Sequence, residues 1–180
     1  NSSTIKTALD TWYQNNLTSY SSIIADSGFC GDRSLSRGTG IGATYTDYGA
    51  YGRLNTNKTP QFKCPQSNDL YTTATSTKGN KALTYPIGLI TADEVAYAGG
   101  VYDKVNENYY LVNNELFWTM SPFNSVSYAH VWLVNRVGGL SDSLVNSGFV
   151  VRPAINLKST AEIIDGGNGT LNNPYVVKTN

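Results

Sequence analysis

The chain has 180 residues, long enough for one domain with its own core. Only 14% of them are charged, and Lys plus Arg equals Asp plus Glu at 13 each, so no net field draws nucleic acid or an anionic membrane to the surface. Ser, Thr, Asn, Gly and 13 Tyr take the place of charge, as suits an extracellular bacterial domain, and no apolar run approaches the roughly 20 residues that cross a bilayer.

The first element is a helix. Ile5, Leu9, Trp12 and Leu17 fall close to a helical stripe, with Ala8 between them and Ser3 or Thr4 available as N-cap. This spacing predicts a helix that lays Trp12 against a sheet. From Ser19 to Asn80 the pattern loosens. Ile23-Ile24 is a short apolar pair, SGFCGDRS reads as a loop, and GTGIGATYTDYGAYGRL is rich in Gly and Tyr. Gly38, Gly40 and Ala43 match a dinucleotide-binding fingerprint superficially. That motif needs a strand before it and a helix after it to seat a pyrophosphate. Neither flank fits, and the segment is read as an aromatic loop packed over the sheet.

Cys30 and Cys64 are the two cysteines, and His130 is the single histidine. No metal-type spacing joins them, so no zinc site is expected, and no cofactor. In a secreted domain a lone pair of cysteines reads most simply as a disulfide. Closing a loop of this length is worth roughly 3.7 kcal/mol in the chain-entropy model. Two buried thiols in a cytosolic protein are the alternative.

Order returns at KALTYPIGLITADEVAYAGG. An apolar strand is expected around Ile87 to Ile90. Thr91 then reads as an N-cap, and Glu94 three residues on completes a capping box. The helix runs from Ala92 to Ala98 and ends on Gly99-Gly100. Asp93 and Glu94 complement the helix dipole, which assigns them a structural role before a catalytic one.

The stretch from Phe117 to Leu157 carries two of the three Trp residues and the most β-prone sequence. It predicts three antiparallel strands, FWTMSPF, YAHVWLVNRVGGL and GFVVRPAINL. Polar turns are placed at Asn124-Ser125 and Asn146-Ser147-Gly148, with Gly138-Gly139 supplying positive φ. His130 on such a strand reads as a packed or surface side chain, and Arg152 in an apolar run calls for an internal ion pair. A last hairpin is predicted from Ala161–Ile164 and Tyr175–Val177 around the tight turn DGGNGT. Asp165 and Asn168 are possible calcium ligands there, but one carboxylate is thin ligation and Asx turns explain the same residues.

Together FWTMSPF, AHVWLVNRVGGL and GFVVRPAINL, with Gly148, Arg152 and Pro153 in the closing strand, resemble the C-terminal half of C-type-lectin-like folds of the formylglycine-generating-enzyme (sulfatase-modifying-factor) type. The segments FCGDRS, FKCP, GLITADEVAYAGG and VRPAINL are similar to a module that recurs in surface and phage-related proteins of Gram-positive gut bacteria. The resemblance implies an α+β domain with a small twisted, mainly antiparallel sheet, two helices and long loops. Residues 1–180 are then a single lectin-like domain, excised from a larger surface protein. It also implies an exposed binding face, in some relatives diversified by retroelements. The corresponding exposed positions here are Asn124, Ser125, Ser127, Tyr128, His130, Trp132, Asn135, Arg136, Asp142 and Asn146. The Glu-Pro-Asn and Trp-Asn-Asp calcium signatures of sugar-binding lectins are absent, as is the paired active-site Cys of the formylglycine-generating enzymes.

The expected function is extracellular or cell-surface ligand binding and adhesion, with a glycan or a protein as partner and no catalysis. Nucleophilic catalysis needs a base beside Ser or Cys, and His130 is the only histidine to provide one. A structural piece of a pilus or phage fibre is the second reading. A hydrolase built on a carboxylate pair is the third.

Overall fold

The structure is a computed structural model that describes residues 3–41, 45–170 and 172–179. It is mixed α+β, with mostly antiparallel sheets and few helices. Helix α1 spans Thr4–Asn16, and the Ser3 hydroxyl caps it by accepting from the Lys6 amide. Four short strands follow: β1 (Ile24–Ala25), β2 (Phe29–Cys30), β3 (Leu35–Arg37) and β4 (Thr46–Tyr48). A helical turn, α2 (Gly49–Tyr51), runs into a π-helical turn at Gly52–Asn57, which Lys58 ends in the left-handed region. Next come β5 (Leu70–Tyr71) and helix α3 (Ala92–Tyr97), then the long strands β6 (Phe117–Val126), β7 (Tyr128–Val134) and β8 (Leu140–Leu144). Three two-residue strands finish the chain: β9 (Asn156–Leu157), β10 (Ile163–Ile164) and β11 (Val176–Val177).

The main sheet has the order β3-β4-β6-β7-β8 and every pairing in it is antiparallel. Both of its faces are covered. Successive residues of a strand point to opposite faces, and on β6 each set brings aromatic side chains to a core. Phe117 and Phe123 join Trp132, Val134 and Leu140 in a core closed by Ala92 and Val95 of α3. Trp118 joins Leu133, Ile87 and Leu89 in a second core, closed by Leu9 and Tyr13 of α1. The sheet is therefore a middle layer with one helix on each side.

Several local expectations hold. Thr91 and Glu94 form a complete capping box, and Gly99 adopts positive φ just past the helix. Cys30 and Cys64 are disulfide-bonded, with Cα atoms 5.5 Å apart. Gly138 has φ +76 in the β7–β8 turn, and a Cβ there would lie 2.2 Å from the Asn106 carbonyl oxygen. The C-terminal hairpin pairs Ile163 with Val177 and Ile164 with Val176.

Other expectations are corrected. Trp12 does not face the sheet; it is 42% exposed, and Leu9 and Tyr13, four apart, carry the buried stripe instead. Tyr13 stacks on Tyr85, ring centroids 4.8 Å apart. Ile87–Ile90 forms no strand, only a bridge from Gly88 to Ala154. Asn124 and Ser125 are not a turn. They lie within β6, held by Asp47 and Thr46 of β4, and the reversal falls at Ser127 with φ +72. The segment read as an aromatic loop thus supplies a strand of the sheet, β4. Gly38 and Gly40 open the link between antiparallel β3 and β4, which is not a strand–helix unit; Ala43 lies outside the described residues.

The third strand of the sheet is Leu140–Leu144, not the GFVVRPAINL run. That run instead crosses the start of β6, where Trp118 donates to Val150 and Val150 to Leu116, and pairs through β9 with β1. Arg152 finds no acidic partner among the described residues: its guanidinium donates to the Leu111 carbonyl and lies 4.5 Å over the Phe117 ring. Asp93 does more than complement a dipole. It takes two bonds from Arg53, 2.8 and 2.7 Å, and one from the Gln61 amide.

Burial reverses the expectation for two tryptophans: Trp12, expected against the sheet, is exposed, and Trp132, assigned to an exposed face, is buried. Trp132→Ala is expected to cost about 3–5 kcal/mol by leaving a cavity, and Trp12→Ala to stay within about 0.5 kcal/mol. Urea unfolding of the two variants measures both.

Candidate functional site

The ten positions assigned to a binding face do not form one surface. Side chains alternate along β7, so His130 shares a face with Trp132 and Val134. Trp132 is fully buried, not exposed, and its indole Nε1 finds no partner. Phe123 meets it edge-on at 4.6 Å and Tyr102 at 5.2 Å. Ser125 is buried opposite Thr46, and Asn124 is half-buried opposite Asp47, its Oδ1 unpartnered. Asn135 is used internally, its Oδ1 accepting from the Val137 and Gly139 amides at 3.1 and 2.9 Å. Arg136 is exposed on that same turn, at the far end of the strands.

The remaining five gather at the opposite end. Ser127 makes the β6–β7 reversal, so tight that Val126 and Tyr128 pair directly across it. Tyr128 projects 70% exposed. Asn146, also exposed, follows β8 back to this end, where the Val145 amide bonds the Ala129 carbonyl at 3.1 Å. Between these turns lies a half-buried pair: His130 Nδ1 is 2.8 Å from Asp142 Oδ2. With Nδ1 engaged by a carboxylate, Nε2 is the ring nitrogen left for a ligand.

Asp142 is held from a second side by a residue the sequence did not single out. The Tyr102 hydroxyl donates to Asp142 Oδ1 at 3.3 Å. Tyr102 reaches it because the chain after α3 returns along β8, where Leu140 donates to Val101 and Asp103 donates to Leu140. Nothing local marks that contact; only the pairing of a distant segment creates it. Burial, the Asp142 charge and the hydrogen bond to it together push the Tyr102 phenol up to about 12. The result is a firm base of Phe123, Trp132 and Tyr102 carrying a fixed carboxylate–imidazole pair, with Tyr128 standing free beside it.

This geometry suits recognition. A rigid aromatic anchor on a pre-organised support loses little entropy on binding, and neighbouring hydroxyl and amide groups adapt their hydrogen bonds. No protein-family model matches the chain, and no curated protein or solved structure is detectably similar to it.

Tyr102 also makes stability depend on alkaline pH. Its folded-state value lies above the ordinary 10.0, so the unfolded chain releases that proton first. Stability from this group is complete below pH about 10 and is lost as pH rises towards about 12. In urea unfolding across this range, Tyr102→Phe is expected to show a shallower decline than the parent, and equal slopes contradict the assignment.

Proposed function

We propose that the chain is an extracellular ligand-binding and adhesion module of C-type-lectin-like, formylglycine-generating-enzyme-type architecture. It engages a glycan or protein on a surface through the Ser127–Tyr128 end of β6, β7 and β8. The observation that carries this reading is Tyr128: a large aromatic side chain held out in solvent beside the fixed His130–Asp142 pair. The buried Trp132 takes no part in contact and acts as the support beneath. The antiparallel sheet between two helices and the Cys30–Cys64 bridge support the reading without singling out a ligand.

One observation favours a second reading, an assembly piece of a pilus or fibre. The C-terminal hairpin exposes Ile163, Ile164, Tyr175 and Val176 by half or more. A two-stranded hairpin is marginal alone in water, and contiguous exposed apolar groups mark contact surfaces.

For the first reading, the purified domain is screened on a glycan array and against intact cell surfaces, with and without chelator. Retention is expected to be chelator-insensitive and to fall at least tenfold in Tyr128→Ala with an unchanged melting temperature. Binding untouched by that change removes the site. For the second, light scattering is expected to show self-association that Ile164→Ser with Val176→Ser abolishes; a monomer at all concentrations contradicts it.

A further inference from the structure

A cleft of about 930 Å3 opens between the disulfide-tied segment and the start of α3. Its volume lies within the roughly 300–1,000 Å3 of small-ligand sites. None of Ser127, Tyr128, His130, Asp142 or Asn146 lines it, so it is independent of the strand-end surface.

Three aromatic side chains stand around it in solvent: Phe62, Tyr97 and Tyr110, exposed by 68%, 52% and 65%. Phe62 and Tyr97 are stacked on each other, with centroids 4.0 Å apart and planes at 11°. That stack joins an exposed loop to the helix and fixes both rings before any ligand arrives. Phe62 is further held by its neighbours. Gln61 donates its amide to Asp93 Oδ1 at 3.0 Å, and Cys64, two residues on, is bonded to Cys30.

The floor of the cleft is charged and ordered. Arg53 Nη1 bonds Asp32 Oδ2 at 2.7 Å, while its Nε and Nη2 bond the two oxygens of Asp93 at 2.8 and 2.7 Å. Of the five N–H donors of a guanidinium, these bonds use three and leave two. The carboxylates keep lone pairs that accept further hydrogen bonds. The floor thus offers fixed donors and fixed acceptors side by side, beneath flat apolar rings.

Each class of occupant meets this arrangement differently. A purely apolar molecule covers the open part of the Arg53 guanidinium and the carboxylate edges beside it and gives no hydrogen bond back, which costs free energy. Around the cleft Asp32, Asp93 and Glu94 balance Arg53, Lys63 and Lys78, and the floor itself sets two carboxylates against one guanidinium, so an anion gains no net attraction there. Hydroxyl groups both donate and accept, and a pyranose ring pairs them with an apolar C–H face that lies flat on an aromatic ring.

We propose that this cleft is a binding site for a neutral carbohydrate, with one pyranose ring against the Phe62–Tyr97 stack and its hydroxyls on Asp32, Arg53 and Asp93. The Cys30–Cys64 bridge holds the Phe62 side of the cleft in place, so an intact disulfide is part of the site.

The probes are methyl glucopyranoside, methyl mannopyranoside, methyl galactopyranoside, methyl N-acetylglucosaminide and, as the anionic counterpart, methyl glucuronide. Binding to the oxidised protein is followed by saturation-transfer NMR. At least one neutral pyranoside is expected to bind, with saturation strongest on ring C–H protons. Phe62→Ala, in an exposed loop, is expected to weaken it tenfold or more with the backbone NMR spectrum otherwise preserved. Tyr97→Leu serves as the second variant. The glucuronide is expected to bind more weakly than its neutral partner, and Trp12→Ala, on the exposed side of α1 and outside the cleft, to change nothing. Absence of binding by every neutral pyranoside overturns the proposal, as does binding that survives both Phe62→Ala and Tyr97→Leu. Loss in Tyr128→Ala alone also overturns it, while supporting the strand-end surface as the sugar site.

Discussion

Phe117 and Trp118 are adjacent in sequence and both buried, one against α3 and the other against α1. That double burial of β6 is the constraint on which the rest of the structure depends. A strand with one solvent face tolerates some ambiguity of register, whereas a one-residue slip of β6 would exchange the contents of two cores at once. Pro122 sits on this strand and donates no backbone hydrogen bond, so the ladder must break around it. The register shifts on both sides of Pro122 are that break. They let β6 continue to Val126 and deliver the tight reversal at Ser127, from which Tyr128 projects.

The chain has few charges and uses several of its arginines to tie irregular segments together. Arg53 bridges Asp32 and Asp93, Arg33 bonds Asp69, and Arg37 bonds Asp47. Asp32 and Asp69 come from irregular segments outside the main sheet, and the Arg53 bridge ties Asp32 to Asp93 in the first turn of α3. Desolvation works against the charged form of Arg53, but the Asp93 and Asp32 carboxylates outweigh it and raise its pKa overall. A partly buried cation held this way stays charged and keeps its two acids in place. With the disulfide, these pairs perform the work that long helices do in other α+β domains.

What the sequence made legible was local. The Ser3 cap, the Thr91–Glu94 box, the Gly138 turn and the final hairpin each depend on residues within a few positions of one another. Long-range packing was not legible. Tyr128 and Trp132 lie on the same face of β7 and read alike in sequence; Trp132 is buried because Phe123 and Tyr102 come from elsewhere to cover it. Strand β8, LSDSL, has weak β propensity and is specified by pairing with β7, whereas the stronger-looking GFVVRPAINL run is drawn off to cover β6 and reach β1. Of the predicted face, the turn positions Ser127, Tyr128 and Asn146 are exposed, because turn chemistry places residues in water. The strand-interior positions Ser125 and Trp132 are not, because burial there is decided by partners distant in sequence.

The central claim is that β6 is the shared member of two cores, and that the proposed recognition surface is rigid because it grows from that strand. Native-state hydrogen exchange on the intact, oxidised chain tests it most directly. The Trp118 and Met120 amides, bonded to Val150 and Ile90, are expected to exchange only through global unfolding, with the same denaturant dependence as the whole chain. The β10–β11 amides are expected to exchange far earlier. Exchange of Trp118 or Met120 through a smaller, separate opening would show that the two faces of the sheet come apart independently and would contradict the account.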